Sequence, residues 1–230
     1  MSKLSVVIPA WNERGAIAEV LKRTLATRRA LRREAEVAEL EILVVDDGST
    51  DGTAQIVAQL AAAPEQHTRI RCLRHEVNQG YGAALQRGFA EARGDLLAFL
   101  DADCTYPPEE LPALCLTLKR TNAQLVVGNR MAGRMSRMPL ARRLGNAFFA
   151  RLVSWLTGQR VSDCSSGMRV MPVTTWQALR PLPAGLDFTP AMTTRALLQR
   201  LRVEEVPIPY DQRVGASKLS VVRDALRFLT

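Results

Sequence analysis

The chain has 230 residues, 47% hydrophobic and 23% charged, which suits one large globular domain with a buried core and excludes a disordered chain. Its net charge of +8 calls for polyanionic company: nucleic acid, an anionic membrane surface or phosphorylated substrates. Aromatic residues are only 5%, and no basic run interleaves with them as a base-stacking surface requires, so no nucleic-acid partner is expected.

Leu4 to Ile8 is a compact apolar run closed by Pro9, the pattern of a first strand. Asn12-Glu13 follow, and Ile17, Val20, Leu21 and Leu25 repeat at helical spacing. Arg28, Arg29, Arg32 and Arg33 are read as the solvated face of the same helix continued. Glu41 to Val45 is a second strand, running into Asp46-Asp47-Gly48-Ser49-Thr50-Asp51-Gly52-Thr53. In that octet Gly48 can take a positive φ, and Ser49, Thr50 or Asp51 can cap a helix through Leu60. A third strand is placed at Ile70 to Leu73 and a helix at Ala83 to Ala92. The intervening Asn78-Gln79-Gly80-Tyr81-Gly82 is no dinucleotide fingerprint, because the third glycine would fall at Leu85 and no glycine pair follows the first strand.

Leu96 to Leu100 is a buried strand that delivers Asp101-Ala102-Asp103 to its C-terminal end. Ligands of open α/β sheets bind at such ends, and hard divalent ions take one or two carboxylates plus substrate phosphates, so two readings of the pair stay open here: a Mg²⁺-type site, and acids that cap a turn or a helix. A helix at Pro108 to Leu118 and a strand at Leu125 to Val127, ending in Gly128-Asn129-Arg130, continue an α/β alternation with a largely parallel sheet. Residues 131–139, rich in Arg and Met, are read as a mobile loop. Leu140 to Leu156 is an amphipathic helix with Leu144, Phe148, Leu152 and Trp155 on one face and Arg143 and Arg151 towards another. Two readings of it stay open: a helix lying on a membrane interface, and a core helix whose arginines face water. Ser162 to Arg169 is a polar turn before a short apolar segment; a helix starts at Asp187-Phe188 and runs through Leu201; Val203 to Ile208 is a last strand. Arg213-Val214-Gly215-Ala216-Ser217-Lys218 is a cationic, glycine-containing loop suited to closing over phosphates.

Cys72, Cys104, Cys115 and Cys164 form no Cys-x-x-Cys pair and have no histidines at zinc spacing. With no leader pattern after Met1-Ser2-Lys3, a reducing, cytoplasmic location is expected. No apolar stretch reaches the roughly 18 residues of a membrane span. The helical pattern over residues 219–230 runs to the end of the sequence, so further segments, membrane-anchoring ones among them, are expected beyond Thr230.

Pro9 to Glu13, Val44 to Thr53, Asn78 to Gly82, Asp101-Ala102-Asp103, Ser166-Gly167-Met168-Arg169 and Arg213 to Lys218, in this order and spacing, resemble the family 2 glycosyltransferases of the GT-A fold. The last two motifs are most similar to the polyprenyl-phosphate sugar transferases, such as dolichol-phosphate mannose synthase. The resemblance implies a single GT-A domain over 1–230, with a mostly parallel sheet flanked by helices. It implies a donor pocket of Pro9, Asn12, Glu13, Asp46, Asp47, Gly80, Ala102, Arg213 and Lys218 for a GDP- or UDP-hexose, with Asp46 at the base and Glu13 at the ribose. Asp101 and Asp103 would hold Mg²⁺ or Mn²⁺, and Arg213 would join them in catalysis. Arg130, Arg142, Arg143, Asn146 and Arg169 would grip a polyprenyl (dolichyl or undecaprenyl) phosphate at the cytoplasmic face of a membrane, with 131–139 as the acceptor loop.

The implied reaction is inverting transfer of mannose or glucose. A phosphate monoester, with a second pKa near ~6, is already largely a dianion at neutral pH and needs no general base. His67 and His75, the chain's two histidines, accordingly lie outside every motif and are read as structural or surface residues. Two positions depart from the pattern: Thr105 stands where the mannose synthases have Gln, removing a side-chain amide from the metal, and Tyr81 stands where many relatives have Lys. Two rivals are carried: transfer to a hydroxyl acceptor, with Asp163 or Asp187 as the base, and a non-catalytic nucleotide-sugar-binding module.

Overall fold

The computed structural model describes residues 2–62, 68–133 and 138–214. Among these the strands are β1 (Ser2–Ala10), β2 (Val37–Asp46), β3 (Thr68–Arg74), β4 (Leu96–Phe99), β5 (Leu125–Asn129), β6 (Arg169–Pro172) and β7 (Val203–Pro207). They form one sheet in the order β3-β2-β1-β4-β6-β5-β7. All neighbouring pairs are parallel except those of β6, which runs antiparallel to both β4 and β5. The helices are α1 (Ile17–Ala26), α2 (Arg28–Ala35), α3 (Thr53–Ala61), α4 (Tyr81–Glu91), α5 (Leu111–Thr121), α6 (Leu140–Thr157), α7 (Val173–Leu179) and α8 (Phe188–Leu198).

Helices cover both faces of the sheet, which is why its central strands are continuous apolar runs rather than alternating ones. Leu4, Val6 and Ile8 of β1 point to a layer closed by Val20 and Leu21 of α1 and Leu114 and Leu118 of α5. Val7 points the other way, with Leu43 and Val45, into a layer closed by Phe89, Trp176 and Phe188. Phe89 meets Phe99 edge-on at 5.9 Å, one of several offset ring contacts that fill this second layer.

Three details differ from the sequence reading. The first helix does not continue through the arginines: the hydroxyls of Thr24 and Thr27 bond back to the carbonyls of Val20 and Thr24, and α2 starts afresh at Arg28. On it Arg29, Arg32 and Arg33 are exposed while Leu31 and Ala35 face the core. Strand β4 stops at Phe99, so the two acids stand in the turn beyond it. The short apolar segment after Gly167 is strand β6, followed at once by α7; four residues are too few for a periodic signal.

These strand directions create the site. Parallel β1, β2 and β4 end at one edge, at Ala10, Asp46 and Phe99. Because β6 is antiparallel, the turn that precedes it is carried to that same edge, with Arg169 opposite both Phe99 and Val127.

Close approach of α4 to the sheet depends on Gly88, where an added Cβ would stand 2.3 Å from Cγ1 of Val7. Gly88→Ala is therefore expected to lower stability by about 1–3 kcal/mol through overpacking, measured by urea unfolding.

Candidate active site

Two clefts open at the C-terminal edge of the sheet, and both are lined by Tyr81, Asp101, Asp103, Leu186 and Arg213. The first, about 250 Å³, runs past Pro9, Ala10, Trp11 and Glu13 at the end of β1 and past Asp47, Asn78 and Ala102. Its floor is braced by side chains bonded to turn amides. Asn12, in the left-handed region at φ 52°, donates its backbone N–H to Ser49 Oγ and accepts the Thr50 N–H on Oδ1, joining the turns after β1 and β2. Asp47 accepts the N–H groups of Gln79 and Gly80 at 2.8 and 2.9 Å and pairs with buried His75 at 2.6 Å. Asp46 is fully buried; Oδ1 accepts the Ser49 N–H, while Oδ2 lies 3.3 Å from Arg74 Nε yet has no hydrogen-bond donor among the described residues. The first-turn amides of Gly82 and Ala83 donate to the carbonyls of Gly185 and Ala184, so the loop before α8 caps α4.

Between the clefts stand the two carboxylates. Asp101 Oδ1 accepts the Tyr81 hydroxyl at 2.7 Å. Asp103 Oδ1 accepts the Thr105 N–H at 3.1 Å and its hydroxyl at 2.5 Å, so Thr105 turns inward onto the acid. Arg213 reaches across, with Nη1 3.2 Å from Asp103 Oδ2 and Nη2 donating to Glu13 at 2.7 Å. Burial, and then the charge of Asp103, push the Asp101 carboxyl up to about 7. The pair is closed from behind by Gly167, where a Cβ would stand 2.6 Å from Asp101 Oδ2, and whose N–H donates to the Tyr106 hydroxyl at 2.7 Å.

Such a pair suits a hard divalent cation, since each like charge raises the cost of its neighbour until a cation neutralises both. Among the described residues no group of three acidic, His or Cys side chains converges, so a cation here would have two protein carboxylates and complete its shell with substrate oxygens or water.

The second cleft, about 260 Å³, is lined by the polar groups of Arg130, Arg142, Asn146, Ser165 and Thr189 and by an apolar wall of Met138, Ala141, Phe149 and Pro190. Arg130 is held hard. Nε and Nη2 bond both oxygens of Asp163 at 2.7 Å, and its guanidinium lies 5.8 and 5.4 Å from the ring centres of Tyr106 and Tyr210. Asn146 bridges α6 to the turn before β6, donating to Ser162 O and accepting from Ser165 Oγ at 2.6 Å. Glu205 of β7 receives the N–H groups of Ser162 and Asp163, fixing the same turn from beneath. Beyond the cleft α6 turns its apolar stripe outward: Leu140, Leu144, Phe148 and Trp155 are 69, 64, 63 and 79% exposed. Asn146, Ala150 and Val153 are the buried ones, so this is not the stripe of a core helix.

Of the residues singled out by sequence, Pro9, Glu13, Asp47, Ala102, Asp101, Asp103 and Arg213 line the first cleft. Arg130, Arg142 and Asn146 line the second. Asn12, Asp46 and Gly80 lie outside both linings as supports of the first, and Arg143 is exposed on α6 away from the second. Arg169 is wholly buried, donates to the carbonyls of Ser166 and Cys164, and lines neither cleft. Burial lowers its pKa to about 10, and its part is to hold the turn before β6 in place. Lys218, positions 134–137 of the loop and the 219–230 helix lie outside the described residues. Sequence reasoning missed Tyr106, Tyr210 and Glu205, and had Gly167 in a motif without a role for it. One signal was available: the chain has three tyrosines, and all three stand at this site.

Two clefts meeting at a carboxylate pair on the C-terminal edge of a mostly parallel sheet give the layout of an α/β enzyme with room for two ligands at one site. The chain belongs to Glycosyl transferase family 2, which matches residues 5–175. It is 34% identical over 227 residues to the low-salt glycan biosynthesis hexosyltransferase Agl6 of Haloferax volcanii, covering 97% of this chain and 51% of that one. It is 31% identical over 224 residues to the undecaprenyl-phosphate 4-deoxy-4-formamido-L-arabinose transferase of Klebsiella pneumoniae, covering 97% of this chain and 64% of the relative. The chain thus spans about half the length of the first relative and under two thirds of the second. Among solved structures, glucosyl-3-phosphoglycerate synthase of Mycobacterium tuberculosis, crystallised with Mn²⁺, UDP-glucose and phosphoglyceric acid, superimposes with a TM-score of 0.74 at 21% identity, over 99% of this chain and 77% of that one. That likeness establishes the fold.

Raising the Asp101 pKa means that the folded state holds a proton the unfolded chain has already released. Metal-free stability should therefore fall as pH rises from the unfolded carboxylate value, near ~4, to about 7, and level off above it. Urea unfolding across pH 4–8 is expected to show this loss in the native sequence and a flatter profile in Asp101→Asn.

Proposed function

We propose that this domain transfers a hexose, mannose or glucose, with inversion from a GDP- or UDP-sugar to a polyprenyl phosphate. The observation that carries the acceptor class is the lining of the second cleft. Arg130, Arg142 and Arg213 face it, and among the described residues its carboxylates are Asp101 and Asp103. A hydroxyl acceptor would require a base, and neither candidate serves. Asp163 is fully buried with both oxygens bonded to Arg130, and Asp187 lines neither cleft. An acceptor phosphate brings its own nucleophile. The apolar wall of Met138, Ala141 and Phe149 beside these cations, continued outward by Leu140, Leu144 and Phe148, suits a lipid carrying that phosphate better than a small polar acceptor.

In this reading the nucleotide lies along Pro9 to Glu13, and Asp46 Oδ2, buried beneath that cleft and without a hydrogen-bond donor among the described residues, accepts an N–H of the base. Asp101 and Asp103 hold Mg²⁺ or Mn²⁺; bound there, the cation offsets charge developing on the leaving diphosphate. Arg213 lies between Glu13 and Asp103 and in this reading donates to the same diphosphate; Lys218, outside the described residues, is proposed as a second cation. Arg130, Arg142 and Asn146 orient the acceptor phosphate. One of its oxygens forms the bond to the anomeric carbon as the carbon–oxygen bond to the diphosphate breaks, the electron pair leaving with the nucleoside diphosphate. Arg143 and Arg151, exposed on α6 with the apolar stripe, favour a cytoplasmic membrane face, where anionic headgroups meet the cations and the stripe enters the interface. Among the described residues no helix is long and apolar enough to cross a membrane.

Incubation with GDP- and UDP-hexoses, Mg²⁺ or Mn²⁺, and polyprenyl phosphate, polyprenol or glycerol phosphate tests the assignment. A sugar-linked lipid is expected with polyprenyl phosphate alone; transfer to polyprenol, or to glycerol phosphate in preference, would overturn it. Arg142→Ala is expected to raise the acceptor KM about tenfold or more, the loss of a charge-assisted hydrogen bond of about 1.5–3 kcal/mol. Sedimentation with anionic vesicles should drop when Phe148→Glu and Trp155→Glu are combined.

A further inference from the structure

Each carboxylate of the central pair has one oxygen tied inward by a hydroxyl. Tyr81 donates to Oδ1 of Asp101 at 2.7 Å, and Thr105 donates to Oδ1 of Asp103 through its hydroxyl at 2.5 Å and its N–H at 3.1 Å. The remaining oxygens differ in kind. Asp101 Oδ2 receives no hydrogen bond from the described residues, and Asp103 Oδ2 faces Arg213 Nη1 at 3.2 Å. Both hydroxyl donors are rigidly placed. Thr105 is 1% exposed and β-branched, and Tyr81 is the first residue of α4, whose entry is fixed by the Asp47 bonds to Gln79 and Gly80 and by the Ala184 and Gly185 carbonyls. On the far side of Asp101 stands Gly167, where a side chain is excluded because a Cβ would lie below 3 Å from both carboxylate oxygens.

From this we infer that Tyr81 and Thr105 are positioning residues that restrict Asp101 and Asp103 to one metal-facing oxygen each, and thereby select a small octahedral cation over a larger one. The inference rests on the proposed metal site and adds to it the basis of its selectivity. Mg²⁺ and Mn²⁺ suit six-coordinate shells in which a carboxylate gives one oxygen and substrate oxygens or water fill the rest. Ca²⁺ takes 6–8 oxygens and commonly grips a carboxylate by both. Bidentate binding by Asp103 would require Oδ1, both of whose lone pairs accept protein donors, to give one up; at Asp101 the Tyr81 hydroxyl takes one of the two lone pairs of Oδ1 and leaves it a weaker metal donor than Oδ2. The two residues at which the chain departs from the family pattern therefore act on the same feature of the two acids. Thr105 does so by facing inward rather than by reaching for the metal.

The test measures Mn²⁺ affinity by electron paramagnetic resonance in the presence of UDP or GDP, and Ca²⁺ affinity by competition, for the native sequence, Tyr81→Phe, Thr105→Val, their combination and Thr105→Ser. Supporting partners of metal ligands are typically worth about 10–100-fold in affinity. Tyr81→Phe and Thr105→Val are each expected to weaken Mn²⁺ by about tenfold while Ca²⁺ weakens less or tightens, so that the Mn²⁺/Ca²⁺ ratio falls and falls furthest in the combination. Thr105→Ser keeps the hydroxyl and should retain the native ratio, which separates the hydrogen bond from a packing defect. An unchanged ratio in the combined variant, with native Mn²⁺ binding intact, overturns the inference alone. Absence of Mn²⁺ binding in the native sequence with either nucleotide overturns the proposed metal site and the inference with it.

Discussion

Repulsion between two carboxylates held one residue apart in a poorly solvated cleft is the constraint on which the rest of this site depends. Two such charges are costly together: burial first, and then the charge of Asp103, raise the Asp101 carboxyl. Every neighbour answers that cost differently. Tyr81 and Thr105 donate hydrogen bonds, Arg213 offers a positive charge, and Gly167 supplies a backbone without a side chain so that the turn before β6 can close on the pair. Arg213 also contacts Glu13, so one guanidinium couples the end of β1 to the acidic turn beyond β4. The end of β1 and the acidic turn beyond β4 are in this way one electrostatic unit.

The second cleft follows a different logic. Arg130 carries a charge into a 9% exposed position, and it is tolerated there because Asp163 meets it with both oxygens and two tyrosine rings flank it. A buried ion pair of this kind adds little net stability, since desolvation offsets most of the attraction, but it fixes direction. Asp163 is itself fixed by Glu205, whose carboxylate receives the turn's N–H groups. The result is a preorganised cationic wall beside the second cleft. Next to it the outward apolar stripe of α6 departs from the usual inward-facing amphipathic helix, the expected form for a helix whose partner is an interface rather than a core.

Antiparallel β6 joins the two sides. Had it run parallel to β4, the turn carrying Asp163, Ser165 and Gly167 would lie at the opposite edge of the sheet from Asp101. Buried Arg169, at the first position of β6, bonds the carbonyls of Cys164 and Ser166 and so shapes that turn from within. Its conspicuous charge made it resemble a ligand-binding residue, whereas its surroundings make it a brace.

Much of this protein was legible in the sequence because the signals were local. Apolar runs closed by Pro or Gly marked β1, β2 and the strand before Asp101, and helical spacing marked α1, α4, α5 and α6. The acids at strand ends could be named because in a parallel sheet those ends share an edge. What the sequence could not reach depends on pairings across long separations. Four-residue β6 has no period of its own, and its direction is decided by the neighbours it joins. Whether Thr105 faced a ligand or its own neighbour, whether Asp163 was a base or an anchor for Arg130, and which side of α6 met solvent were likewise matters of packing. Composition and motif order determined the family and the ends of the strands; only the tertiary structure decided which charged groups face the clefts, because burial and partner geometry, not residue type, set what a charge can do.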